Sequence, residues 1–449
     1  MIHFALVAPP FLSHLRALDA LAGQLMVRGH RVTWLQQADV GSLMDFGRAG
    51  FVALGEGTHP PGSLGAVIAR AARPGGPLGI ARVIRDMARA TEMLCREAPA
   101  ALRELGCNAV IADQMEAAGA LAAEAAGLPF VSVACALPLN REPRVPLPVM
   151  PWRYALDAQA EKLNETSARV HDWLLRPLCE VIEFHSRAMG LAPKRTLADC
   201  LSPLAQLSQT VAAFDFPRQH LPPHFHHVGP LRAPMTAEPA LDLPGDDGRP
   251  VVFASLGTLQ GGRFRLFERI ARACRTVGAQ VLVAHCDRLM PAQEKSLRRA
   301  GATWVTGFAP QRAAIRRADV VLTHGGLNTV LDAFAAGKPV LALPIAFDQP
   351  GVAARVAHLG AGLRVPASMA TSRAIGTALR RLLTEPAFKT RASDLGIAVA
   401  AAGGVELAAD ITEAAVLLGR PVLTRPPVAP ASLTSTEYSP HVEPEFRPA

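Results

Sequence analysis

Residues 2–37 hold a strand, a helix and a second strand in that order, and this constrains the fold more than any other feature. IHFALVA is a continuous apolar run of strand length. SHLRALDALAGQLMVRG sets Leu15, Leu18, Leu21 and Leu25 at helical spacing and stops at Gly29, and RVTWL is apolar again. Strands joined through a helix cannot pair as a hairpin, so they lie parallel with the helix crossing one face. The alternation returns at CNAVIAD, EAAGALAAEAAG and PFVSVAC, and the strand PLAQLSQ closes this half.

The proline-rich run PLNREPRVPLPVMP, residues 138–151, breaks the pattern, because proline supplies neither ladder N–H groups nor helix continuity. A long loop of this kind lines or lids a site more often than it fills a core. Irregular helices follow to about residue 200. Residues 226–250 are rich in Pro, Gly and Asp and contain the linker, placed at 233–249. The alternation then restarts: PVVFASLG, a helix over 264–277, AQVLVAHC, a helix, ATWVTGF, a short helix, DVVLTHGG, a helix and PVLALPI. The expected class is α/β, with two Rossmann-like, doubly wound parallel sheets in residues 1–232 and 250–420. The proline-rich tail, 421–449, is expected to be disordered.

Composition trims the function classes. With 449 residues, each half is large enough for its own core. No charged start with a cleavage site is present, and no uncharged stretch reaches the ~18 residues of a spanning helix. A soluble or surface-bound protein is expected. Seven cysteines without CxxC spacing fit a reducing compartment, hence a cytoplasmic location. The net charge is +8, and only five of 46 basic residues are Lys. No basic run carries interleaved aromatics, which argues against nucleic acid and leaves peripheral contact with anionic lipid on the inner membrane face open. The tract HLPPHFHH, residues 220–227, lacks a nearby acid or Cys ligand, so no metal is expected there.

Chemistry gathers at strand ends. In DVVLTHGGLNTVLDAFAAG, a buried strand turns into a helix, so His324, Gly326, Asn328 and Thr329 crowd a helix N-terminus. Unpaired N–H groups and the helix dipole favour an anion there, and a diphosphate fits without metal. His324 adds a donor, cationic or neutral. Asp332 lies on the same side of the helix, where an acid accepts from a ribose diol. The alternative is that Asn328 and Thr329 only cap the helix. SLGTLQGGR follows another strand, and Ser255 and Thr258 either complete the phosphate site or make the turn. In GFAPQ, Phe308 either stacks on a base or is a core residue, and Gln311 meets base or ribose. Asp348 and Gln349 follow PVLALPI and suit adjacent sugar hydroxyls, unless Asp348 is a cap. In the first half, His14 follows the loop APPFLS and Asp113 ends AVIAD. An Asp that holds a His makes the imidazole a base near neutral pH.

Together, FAPQ, His324-Gly-Gly-Leu-Asn328-Thr329, Asp332, Gly337-Lys-Pro339, Pro344 and Asp348-Gln349 resemble the signature box of UDP-dependent glycosyltransferases. Residues 1 to about 420 follow the resemblance. It implies the GT-B architecture, two Rossmann-like domains facing across a cleft, with the acceptor in the first and the UDP-sugar in the second. It implies His14 as base with Asp113 as partner, and diphosphate at His324, Asn328 and Thr329. Ribose goes to Asp332, glucose to Asp348 and Gln349, and the nucleoside to Phe308 and Gln311. Two positions depart from the box: Phe308 stands for the usual Trp, and Asp332 for the usual Glu. The stretches IHFALVAPPFLSHLRAL, FASLGTLQGG and FDQPGVAARV narrow the resemblance to carotenoid-glucosylating members. That implies UDP-glucose as donor, zeaxanthin or a similar hydroxylated carotenoid as acceptor, inversion at the sugar, and no cofactor. Another lipophilic acceptor, a TDP-sugar donor, or a sugar-nucleotide epimerase on the same fold are the competing readings.

Overall fold

The computed structural model describes residues 1–43, 45–233 and 240–424, so part of the linker (234–239) and of the expected tail (425–449) lie outside the described residues. In the first half the strands are β1 (His3–Val7), β2 (Arg31–Gln37), β3 (Gly50–Leu54), β4 (Ala109–Asp113), β5 (Phe130–Ala134), β6 (Gln206–Ser208) and β7 (Phe225–His227). In the second they are β8 (Val251–Ser255), β9 (Gln280–Ala284), β10 (Trp304–Thr306), β11 (Val320–Thr323), β12 (Val340–Ala342) and β13 (Gly362–Arg364). The sheets run β3-β2-β1-β4-β5-β6-β7 and β10-β9-β8-β11-β12-β13. Every pairing is parallel. Strands β1, β4, β5, β8 and β9 are buried along their whole length, as parallel strands covered on both faces must be.

The strand order reverses beside β1 and again beside β8. Helices leaving the flanking strands go to opposite faces there, and a crevice opens at the carboxyl ends. In the first sheet the register pairs Val7 with Ala112, so the turn after β1 meets the end of β4 at Asp113. In the second, Ser255 pairs with Thr323 and Thr323 with Ala342, which brings three strand ends together.

Pro386–Leu418 is apolar and long enough to cross a membrane, but it is two helices, Pro386–Ala400 and Gly404–Leu418, parted at the left-handed Gly403. The closing helix lies back on the first half, where Ala408, Ile411 and Ala415 join the core of Leu18, Leu21 and Leu25. That apolar contact, at about 25 cal/mol per Å² buried, stabilises the docking. The pairs from Arg28 to Asp410 (2.7 Å) and Glu413 (2.6 Å) sit at the surface and add little.

Glu116 begins the helix Ala117–Ala125 and accepts from Ala118 N–H (3.1 Å) and Thr91 Oγ1 (2.8 Å). Burial pushes its pKa up to about 7, against those two hydrogen bonds. A folded-state value above the unfolded one gives stability that is complete below the unfolded pKa and is lost as pH rises through about 7. Glu116→Gln keeps the acceptor oxygen and cannot ionise. The variant's melting temperature relative to wild type is expected to rise between about pH 5 and about pH 8. A difference that shrinks over that range would contradict the assignment.

Candidate active site

The turn after β1 leads into the helix Leu12–Val27, and His14 lies in its first turn. His14 Nδ1 is 2.8 Å from Asp113 Oδ2. Asp113 Oδ1 accepts from Met115 N–H at 2.8 Å, which fixes the carboxylate. A carboxylate only accepts, so Nδ1 carries the proton and Nε2 keeps the lone pair. The His14 side chain is 14% exposed and that of Asp113 is inaccessible, so the pair is largely shielded from water. Burial works against the imidazolium, but the charge and hydrogen bond of Asp113 and the charge of Asp348 outweigh it. The His14 pKa therefore lies above its ordinary value. Cys135 is the third group here, with ligand atoms of all three within 4.8 Å of one another. Burial and then Asp113 raise its thiol well above the usual range, so it stays protonated.

On the facing half, β11 ends at Thr323, and the helix Leu327–Ala335 starts after Gly326 as its N-cap. Asn328 and Thr329 are thus the second and third helical residues, and the capping alternative fails. The His324 ring lies between two glycines: a Cβ at Gly257 would lie 2.7 Å from its Cε1, and one at Gly326 2.6 Å. These glycines make room for the imidazole. Burial lowers the His324 pKa to about 4, which decides the open question of its charge in favour of the neutral ring. Ser255 is buried, and its hydroxyl accepts from Gly257 N–H at 3.4 Å. Thr258 stands in the short helix Gly257–Gln260 beside it.

Phe308 is 60% exposed beyond β10, so it is no core residue. A surface depression between residues 240–243 and β10 reaches Phe308 and none of the other site residues. Gln311 opens the helix Gln311–Arg317 and donates from Nε2 to Asp332 Oδ2 at 2.8 Å. Asp332 Oδ1 accepts from Arg232 Nε at 2.9 Å. Arg232 also donates to Asn328 O (3.0 Å) and Gln209 Oε1 (3.2 Å). The carboxylate expected to face a ribose therefore carries two protein partners. Arg232 was not singled out by sequence, since its partner Asp332 is 100 positions away.

Asp348 precedes the helix Gln349–His358, and its side chain caps nothing. Burial raises its pKa, with His14 pulling the other way. Gln349 is buried, and its Oε1 accepts from both Ile345 N–H and Ala346 N–H at 2.9 Å. That oxygen braces the turn carrying Phe347 and Asp348. Phe347 holds φ 58°, a left-handed conformation that costs a non-glycine residue about 1–2 kcal/mol. Its ring centroid lies 6.3 Å from Phe11, which lies 6.3 Å from His14.

The two halves meet at this point. Asn328 Nδ2 donates to Ser13 O at 3.3 Å, so the first turn of the second-half helix touches the residue beside His14. The proline-rich loop closes the side: a Cβ at Gly351 would lie 2.1 Å from Pro148 O. The histidines of 220–227 do not converge. His226 reaches Val422 O, His227 reaches Thr210, and His224 lies near Gln206. The site thus sets a lone pair held by a carboxylate against a helix N-terminus, an arrangement suited to removing a proton on one side and receiving an anion on the other.

A family model described as UDP-glucoronosyl and UDP-glucosyl transferase matches residues 78–397. The zeaxanthin glucosyltransferase of Pantoea ananas is 50% identical over 427 residues, covering 94% of this chain and 98% of that one. The zeaxanthin glucosyltransferase of Pseudescherichia vulneris is 46% identical over 418 residues, with coverages of 93% and 98%. Among solved structures, CalG4, the calicheamicin glycosyltransferase, matches with TM-score 0.71 at 22% identity, covering 96% of this chain and all of that one. The glycosyltransferase of kitacinnamycin matches with TM-score 0.72 at 20% identity, with coverages of 92% and 99%. The structural likeness establishes the GT-B fold.

Asp113→Asn removes the carboxylate that raises the His14 pKa. The acid limb of the activity–pH profile is expected to move to lower pH while maximal activity falls by about 10²–10⁴. An acid limb that stays in place would show that Asp113 does not set the protonation of His14.

Proposed function

We propose that this chain, which belongs to the UDP-glucoronosyl and UDP-glucosyl transferase family, moves glucose from UDP-glucose to the ring hydroxyls of zeaxanthin, giving first the monoglucoside and then the diglucoside. The relatives from Pantoea ananas and Pseudescherichia vulneris, matched over nearly their whole length, support the acceptor. The single observation that carries the mechanism is the contact from Asn328 to the backbone of Ser13, which holds His14 opposite the helix N-terminus at Gly326.

In this reading the acceptor hydroxyl lies against His14 Nε2. An alcohol is too weak an acid to ionise first, so the proton passes to Nε2 as the oxygen attacks the anomeric carbon. The C–O bond to UDP breaks on the opposite face, and an α-linked donor yields a β-glucoside. The imidazolium is stabilised by Asp113. The leaving diphosphate is stabilised by the N–H groups at Leu327–Thr329 and by Asn328, Thr329, neutral His324 and the Ser255–Thr258 turn. The reading calls for no metal or other cofactor. Asp348 takes glucose hydroxyls, with Gln349 fixing its turn. Asp332 and Gln311 take the ribose once Arg232 yields a place, and Phe308 covers the base. The apolar rod of the acceptor leaves past Phe11, Phe347 and the loop of residues 137–151. Because that acceptor dissolves in lipid, the enzyme is proposed to work in the cytoplasm against the inner membrane face.

Pure protein with UDP-glucose and zeaxanthin is expected to form both glucosides. An epimerase would convert the UDP-sugar without acceptor, and a transferase for macrolides, flavonoids or sterols would prefer those in a panel. His14→Ala is expected to lower turnover by about 10²–10⁴ while UDP still binds, and near-normal turnover would refute the base. Phe347→Gly removes the left-handed strain, so its melting temperature is expected to hold or rise. Its kcat/KM for zeaxanthin is nevertheless expected to fall at unchanged KM for UDP-glucose. Unchanged zeaxanthin kinetics would remove Phe347 from the acceptor path.

A further inference from the structure

Beside the cleft, four arginines gather, none of them in an ion pair among the described residues. Arg16 lies on the helix Leu12–Val27, two residues beyond His14, and Arg73 follows the helix Leu64–Ala72. Both belong to the first half. Arg263 precedes the helix Phe264–Thr276 and Arg288 follows β9, both in the second half. The two halves touch here: Arg263 Nη2 donates to Ala72 O at 3.0 Å. A Cβ at Gly262 would lie 3.8 Å from Arg73 Nη2 and 3.8 Å from Arg288 Cβ. Burial raises the Cys286 pKa in the turn after β9, with the charges of Arg16 and Arg288 pulling it down and that of Asp287 pushing it up, so both arginines lie near this turn. The acid of that turn, Asp287, lies against Gly307: a Cβ there would be 1.7 Å from its Oδ1.

Two further observations point to an anion-binding site. Burial, and then the like charge of Arg73, lower the Arg263 pKa, so the cluster is electrostatically unfavourable as it stands. Gln260, 1% exposed, gives its Oε1 to Arg263 Nε at 2.9 Å and leaves its Nε2 without a partner. An orphaned buried donor is costly and calls for an acceptor. The cluster is also well placed for chemistry. One end of the turn 257–262 packs on His324, and the other lies under Arg73 and Arg288.

The geometry points to an arginine bracket: Arg16, Arg73, Arg263 and Arg288 take the diphosphate of the donor nucleotide from across this turn, while the Gly326 helix terminus takes it from the other side. Two of the four come from the acceptor-binding half, so binding the diphosphate draws the halves together. Guanidinium suits this role because it presents planar paired donors to phosphate oxygens. The inference rests on the nucleotide reading above, and three probes separate the two: UDP, inorganic pyrophosphate and uridine, titrated calorimetrically into the full chain.

Arg73→Gln and Arg263→Gln are each expected to weaken UDP and pyrophosphate about tenfold, and uridine not at all. Arg73→Lys is expected to restore most of the loss. Arg73 is exposed, so its variants keep the fold, and Arg73→Gln stands if Arg263→Gln does not. UDP affinity unchanged in Arg73→Gln, or an equal loss for uridine, would overturn the bracket and leave the nucleotide reading intact. Wild-type protein that binds pyrophosphate, with loss in Arg73→Gln, yet ignores UDP would show that the arginines hold a diphosphate but would overturn the nucleotide reading and, with it, the bracket's role in donor binding.

Discussion

The buried pair between Arg355 and Asp215 sets how the two sheets face each other. Arg355 lies on the helix that starts at Gln349, and Asp215 follows β6 in the first half. Arg355 Nε is 2.7 Å from Asp215 Oδ1, and both side chains are 1% exposed. Removing two charges from water costs several kcal/mol each, so the pair survives only because protein groups replace most of that solvation. Arg218 gives Asp215 a second guanidinium at 2.8 Å, Gly351 O accepts from Arg355 Nη1 at 3.2 Å, and the Phe216 ring lies 4.3 Å beneath the guanidinium. Arg355 Nη2 lies close to Asp215 without hydrogen-bond alignment, so Nε carries the bond. Although burial opposes ionisation, the two guanidiniums hold the Asp215 pKa down to about 2, so the carboxylate stays ionised well into the acid range. Its place in the first turns of the Gln349 helix ties Asp348 to the half that carries His14.

Around that anchor, the cleft keeps its charge where a reaction would need it. Burial leaves His324 neutral at the helix terminus, so its ring offers a hydrogen bond there and no charge of its own. Asp113 and Asp348 shift His14 the opposite way, toward accepting a proton. Two histidines thus differ in role through their neighbours alone: one has a carboxylate at 2.8 Å, the other glycines and buried backbone. Fixed dipoles that need no rearrangement at the moment of bond cleavage give this kind of site its leverage.

The alternation of apolar strands and helices was legible in the sequence because burial on both faces leaves an unmistakable composition. The sequence placed His14 and Asp113 at one sheet edge, and His324 and the turn after Ser255 at another, but their adjacency rests on the strand order beside β1 and β8, which only the fold shows. Three kinds of feature were not legible. Contacts across long separations, such as Arg232 on Asp332 or Arg73 over Gly262, have no local signature. The left-handed backbone at Phe347 is unexpected for an aromatic residue and shows only in the folded turn. The return of the helix Gly404–Leu418 to the first half cannot be told from a helix packing on its own sheet, since both are apolar on one face. The reading of Gln349 as a sugar ligand met a competing use, because a carboxamide oxygen near two free N–H groups is drawn to them first.

The account comes down to a proton acceptor and a diphosphate seat on opposite faces of one sugar. The anomeric configuration of the glucoside formed from α-linked UDP-glucose, read from its H1–H2 coupling by NMR, tests this directly. The account predicts a β-linked product throughout. An α-linked product would place nucleophile and leaving group on the same face and contradict it.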